Sequence, residues 1–144
     1  MNRREVLAAA GTVAAAAFVA PAMAADHDHH HDHGVAAKAG LTASALDCVA
    51  TGNACVAHCL DSFIAGDTSL AICAKTAEDV VAVCAALAKL AVGKSPHLAA
   101  YTKVAILVCR DCEKECRKHA DKHPTCKACA ESCAACAEEC AKAA

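Results

Sequence analysis

The sequence predicts an all-α fold, an antiparallel up-down-up-down four-helix bundle with a cysteine-lined core. Three observations point there. Cys126, Cys129, Cys133, Cys136 and Cys140 recur at spacings of 3, 4, 3 and 4, the a/d rhythm of a helical heptad, with helix-favouring Ala, Glu and Lys between them. At about 100° per residue they share an arc of roughly 80°, so sulfur occupies the seam where apolar side chains normally sit. Three earlier segments of helical length repeat the pattern between Gly and Pro punctuation. The 144-residue chain is 57% hydrophobic, largely through Ala and 13 Cys, and its aromatics are only Phe18, Phe63 and Tyr101. Such small side chains suit close-packed helices better than a sandwich or barrel. Basic and acidic residues number 14 and 16, so no basic patch invites nucleic acid.

Residues 1–24 read as an export signal. Arg3-Arg4 precede an apolar run over 6–20, and Ala22-Met23-Ala24 supplies an A-x-A cleavage site. The run is too short and Ala-rich for a stable membrane span, so no membrane insertion of the mature chain is expected. The paired arginines suggest the twin-arginine route to the periplasm, although Asn2 and Val6 depart from its usual residues; a general secretory signal is the alternative. Cleavage after Ala24 would remove Arg3, Arg4 and Glu5, changing the formal charge from −2 to −3 and keeping every cysteine. Thirteen Cys in residues 25–144 exceed the density that marks a disulfide or metal scaffold. Residues 25–40, which include the tract Asp26-His27-Asp28-His29-His30-His31-Asp32-His33, read as a disordered segment. The tract is either a weak capture site for cations or a soluble linker.

The bundle is expected over 41–144. Thr42 or Ser44 can cap a first helix that carries Cys48, Cys55 and Cys59 and stops at Gly66. Gly52 interrupts it, marking either close packing or a kink. Asp67 or Thr68 caps a second helix, which carries Cys73 and Cys84 and stops at Gly93. Ser95-Pro96 opens a third helix to about Ala120, with Cys109, Cys112 and Cys116 on one face. Lys103, Arg110, Asp111, Lys114, Glu115 and Lys118 lie off that face. His123-Pro124 opens the fourth helix.

Thirteen cysteines on four converging faces demand a chemical reason. As small hydrophobes, Cys explain one or two core positions. Disulfide stapling suits an exported chain, but the count is odd and pairs three or four apart on one helix strain the bond geometry. A disulfide-linked structural or interaction module stays open through interhelical pairs. Zinc wants closed sets of four ligands, and evenly spread stripes do not mark out such sets; general zinc or heavy-metal sequestration remains the alternative metal reading. Iron–sulfur spacing is absent. Cu(I) accepts two or three thiolates and lets each thiolate bridge two ions. The i, i+4 pairs Cys55/Cys59, Cys112/Cys116, Cys129/Cys133 and Cys136/Cys140 can each clamp an ion. About one Cu(I) per Cys cancels thiolate charge that would otherwise be costly to bury. Cys59, Cys73, Cys116 and Cys126 should meet at one end of the bundle, with His58, His119 and His123 around them. That end is expected to be the mouth, with His58 and His119 as accessory ligands and His123 as a capping or solvent-facing residue.

These residues resemble the copper storage protein family, over roughly 46–144. The resemblance rests on Cys55-Val56-Ala57-His58-Cys59, on Ala82-Val83-Cys84-Ala85-Ala86-Leu87-Ala88-Lys89-Leu90 and on the run from Cys109 to Cys140. The leader makes the chain similar to the exported branch. The resemblance implies Cu(I) held by thiolates inside each bundle, homotetramers, no catalytic turnover and His58 as a mouth ligand. A copper chaperone or a recipient copper enzyme would be the partner. Exported relatives add methionines near the open end, whereas residues 25–144 here contain none, and Ser62, Ala65 and Leu70 stand in that region. A thiol oxidoreductase would need one exposed, low-pKa pair. Nothing singles out Cys109-x-x-Cys112, Cys126-x-x-Cys129 or Cys133-x-x-Cys136 for that role.

Overall fold

A computed structural model describes residues 33–144, with side chains from residue 39. The expected export signal, its cleavage site and His27–His31 of the histidine tract lie outside the described residues. Four helices follow in order: α1 (His33–Ile64), α2 (Ala71–Val92), α3 (Leu98–Arg117) and α4 (Pro124–Lys142). Short connections make them antiparallel. α1 and α3 each pack against both α2 and α4, and α2 also meets α4 across the core. Among the described residues, no helix is long and apolar enough to cross a membrane.

Helix boundaries differ from expectation at several ends. α1 begins at His33, not at Thr42 or Ser44, so the segment expected to be disordered through residue 40 is helical from His33. Val35, Ala36, Ala37, Lys38 and Ala39 are mostly good helix formers. Buried Leu41 and Ala45 continue the inward stripe of Cys48, Cys55 and Cys59 about two turns further. α1 ends as expected at Gly66, whose φ of 86° suits a residue without Cβ. Asp67 N–H donates to Ser62 O and Gly66 N–H to Phe63 O, closing a Schellman cap.

Asp67 does not cap α2. Its Oδ1 accepts from Ser69 N–H at 2.8 Å, a local turn that competes with helix entry. The cap position falls on Leu70, which is buried. At the other end Gly93 keeps a right-handed φ of −72°, and Lys94 takes the left-handed position at φ 50°. Ser95 N–H to Leu90 O and Lys94 N–H to Ala91 O close that cap. Ser95 Oγ then accepts from His97 N–H, so α3 starts at Leu98, just past Ser95-Pro96, and it ends at Arg117 rather than near Ala120. α4 starts as expected, with Pro124 in the first turn and His123 extended before it.

Gly52 marks close packing within a continuous helix: a Cβ built there would lie 2.7 Å from Val81 Cγ2. α1 and α2 therefore approach closely between Cys48 and Cys55. The core divides into two zones along the bundle. Leu41, Ala45, Leu87, Ala91, Leu98, Thr102 and Ala105 fill one end, and the other zone is dominated by sulfur, with Leu70, Ala77 and Val80 of the α2 side among the thiols.

Candidate metal centre

All 13 cysteines have 0% exposure, and all are free thiols. The heptad spacing puts them inside, and antiparallel packing interleaves them. At the end formed by the C-termini of α1 and α3, Cys73 Sγ lies 3.3 Å from Cys116, 3.6 Å from Cys55 and 3.7 Å from Cys126. Cys55 is also 3.9 Å from Cys126. Midway, Cys112 sits 3.8 Å from both Cys116 and Cys129. Deeper, Cys84 is 3.8 Å from Cys109 and 3.9 Å from Cys136.

These contacts resolve into sulfur groups that could each hold an ion: Cys55/Cys59/Cys73, Cys55/Cys116/Cys129, Cys112/Cys129/Cys133 and Cys48/Cys84/Cys109/Cys136. Cys55 and Cys129 each belong to two groups. Cys126 and Cys140 lie outside all four, although Cys126 touches Cys55 and Cys73, and Cys136 acts on Cys140. The helical pairs Cys55/Cys59 and Cys129/Cys133 fall within groups, and Cys112/Cys116 are in direct contact.

The thiols shift one another's acidity. Cys48 is held down to about 5, chiefly by the neighbouring Cys109 thiol and then by Cys133. Cys116 is pushed up by Cys112 and then Cys129, and Cys133 by Cys109 and then Cys112. Burial comes first for Cys59 and Cys126, raising both, and the neighbouring Cys55 adds to it. A thiol that gives up its proton is thus stabilised by neighbours that keep theirs.

The predicted histidines gather at the same end as Cys59, Cys73, Cys116 and Cys126. His58 Nε2 and His123 Nδ1 share a 2.8 Å hydrogen bond, and the His119 ring centroid lies 6.4 Å from that of His123. His119 Nε2 is 3.6 Å from Glu115 Oε1 and is buried without a hydrogen-bond partner. Neither His58 nor His119 joins one of the sulfur groups among the described residues. His123 takes the N-cap position of α4 as expected, and its ring, which makes no capping bond, pairs with His58. The signal was available: His123-Pro124 starts α4 at the end where α1 finishes.

The family model for copper storage proteins (Csp) matches residues 35–144. Among solved structures, the chain is similar to the Cu(I)-bound copper storage protein BsCsp3, with 26% identity and a TM-score of 0.65, covering 74% of this chain and 96% of that one. Compared with curated proteins by sequence, the chain matches none. With thirteen thiols lining a four-helix bundle and a family match spanning most of its length, the chain belongs to the copper storage protein family.

Proposed function

We propose that the chain stores multiple Cu(I) ions on its core thiolates, about one per cysteine, for later supply to copper enzymes or for sequestration. The observation that carries this is the sharing of sulfurs: Cys55 and Cys129 each sit in two ligand groups. Only a metal that tolerates bridging thiolates uses such an arrangement fully, and Cu(I) does so with two or three sulfurs per ion. Two sulfurs per ion and two ions per sulfur leave the row of copper and sulfur neutral, which an apolar bundle tolerates. Zinc as bulk cargo would leave a charge of −2 at each four-thiolate site. A metal count on protein from copper-replete cells, paired with a thiol count after copper removal, tests this. Near-equal counts are expected, and a copper count far below the thiol count rejects it.

Copper enters and leaves at the histidine end in this reading, with His58 and His119 as accessory ligands. Support comes from the orphaned, buried His119 Nε2 and from the apolar packing of Leu41, Leu87 and Leu98 at the opposite end. His58→Ala and His119→Ala should slow loading and release without lowering capacity; unchanged rates reject the mouth assignment. Export by the twin-arginine route, periplasmic residence and transfer to a copper chaperone or enzyme complete the proposal. Homotetramer assembly draws support from exposed Leu46, Leu60 and Ile64 on α1 and Val104 and Leu107 on α3. No turnover is proposed, because thiol exchange needs an accessible thiolate and every thiol here is buried.

A further inference from the structure

One sulfur group differs from the rest. Cys48 of α1, Cys84 of α2, Cys109 of α3 and Cys136 of α4 place four Sγ atoms within 4.8 Å of one another. It takes one thiol from every helix. The other three groups hold three sulfurs each and share Cys55 or Cys129, so they do not form separate closed sets. The Cys84–Cys109 and Cys84–Cys136 separations are 3.8 and 3.9 Å. Metal–sulfur arms of about 2.3 Å arranged tetrahedrally give edges of about 3.8 Å. The two edges at Cys84 match that figure, and the other four, all within 4.8 Å, need at most small side-chain adjustments to close on one ion.

We propose that Cys48, Cys84, Cys109 and Cys136 form a tetrathiolate site for a single tetrahedral divalent d10 cation, zinc in the physiological case, occupied when the core holds no copper. The ion would tie all four helices together at the inner end of the sulfur zone, next to the apolar packing. Binding follows M²⁺ + 4 RSH → [M(SR)4]²⁻ + 4 H⁺. The residual −2 restricts the arrangement to one ion per bundle, since a second would add another buried dianion. Zinc binding rests on the sulfur geometry alone. Its displacement rests on the copper reading: four arriving Cu(I) neutralise the four thiolates and release one M²⁺, which balances charge.

The test uses the reduced, copper-free chain under anaerobic conditions, titrated with Cd(II) and followed by thiolate-to-metal charge-transfer absorption. That signal is silent to imidazole, so the histidine tract does not contribute. Native mass spectrometry with Zn(II) counts the ions. One tight equivalent is expected. Cys84→Ser should weaken it at least tenfold, while Cys126→Ser at the other end keeps it. Circular dichroism verifies helical content, and Cys136→Ser serves as the second variant if Cys84→Ser does not fold. Absence of a tight equivalent, several equivalents of equal affinity, or unaltered binding in the folded variants would overturn the proposal. Cu(I) loading measured on the same preparation reports separately on the storage reading: zinc binding without copper storage, or the reverse, tells the two apart.

Discussion

Gly52 connects the fold to the sulfur geometry, so Gly52→Ala probes both. In an unencumbered helix the change would stabilise by about 1 kcal/mol, because Ala is the better helix former. Here the new Cβ would lie 2.7 Å from Val81 Cγ2, well inside ordinary contact. Val81 is β-branched and stiff about χ1, so α1 and α2 must separate or the side chain must leave its rotamer. Overpacking of this kind costs about 1–3 kcal/mol. The net effect is a loss of about 0–2 kcal/mol, read as a few degrees in Tm for a domain of this size. The same separation would pull Cys55 away from Cys73, now 3.6 Å apart. Thermal melts of wild type, Gly52→Ala, Val81→Ala and the double variant form a cycle. The double variant should be more stable than the sum of the single changes. If Gly52→Ala alone stabilises by the full helix-propensity gain, the close approach of α1 and α2 at this point is wrong.

Lys94 holds a left-handed backbone at φ 50°, so Lys94→Gly should raise stability by about 1 kcal/mol, measured by chemical denaturation; a loss would contradict the cap assignment. Burial raises Cys59 and Cys126 above their ordinary value of 9.0. The stability they lend is therefore complete below that pH and is lost as pH climbs past it, by about 1.4 kcal/mol per pH unit for each thiol still protonated in the fold. The melting temperature of the copper-free chain should fall in that alkaline range, while the copper-loaded chain, with no thiol protons left, should be insensitive. Ser132 Oγ is buried and pairs with Thr51 Oγ1 at 2.5 Å. Thr51→Val leaves Ser132 only its bond to Cys129 O and should cost about 1 kcal/mol without changing metal capacity, as a melt and a copper count on one sample would show.

Cysteine spacing made the four helices and their inward faces legible, because the heptad period fixes which face turns inward whatever the neighbouring helices do. Helix starts were harder to read. Asp67 is a good capping residue, yet its carboxylate is taken up in a local turn with Ser69, and the buried Leu70 sets the entry to α2. The start of α1 was masked by polar and glycine residues around 33–40. The ligand set was legible residue by residue, but the grouping of the sulfurs was not. Which thiols meet depends on the axial stagger and rotation of one helix against the next. That is why Cys48 finds Cys84, Cys109 and Cys136 while Cys140, on the same stripe as Cys136, stays outside the groups. The same stagger joins His123 to His58.

Storage by the sulfur zone depends on thiolates that bridge Cu(I) ions. Anaerobic titration of the reduced chain with Cu(I) against a chromophoric chelator tests it most directly. Tight uptake should continue to about thirteen equivalents, one per cysteine of the chain. Saturation at one or two equivalents would contradict it.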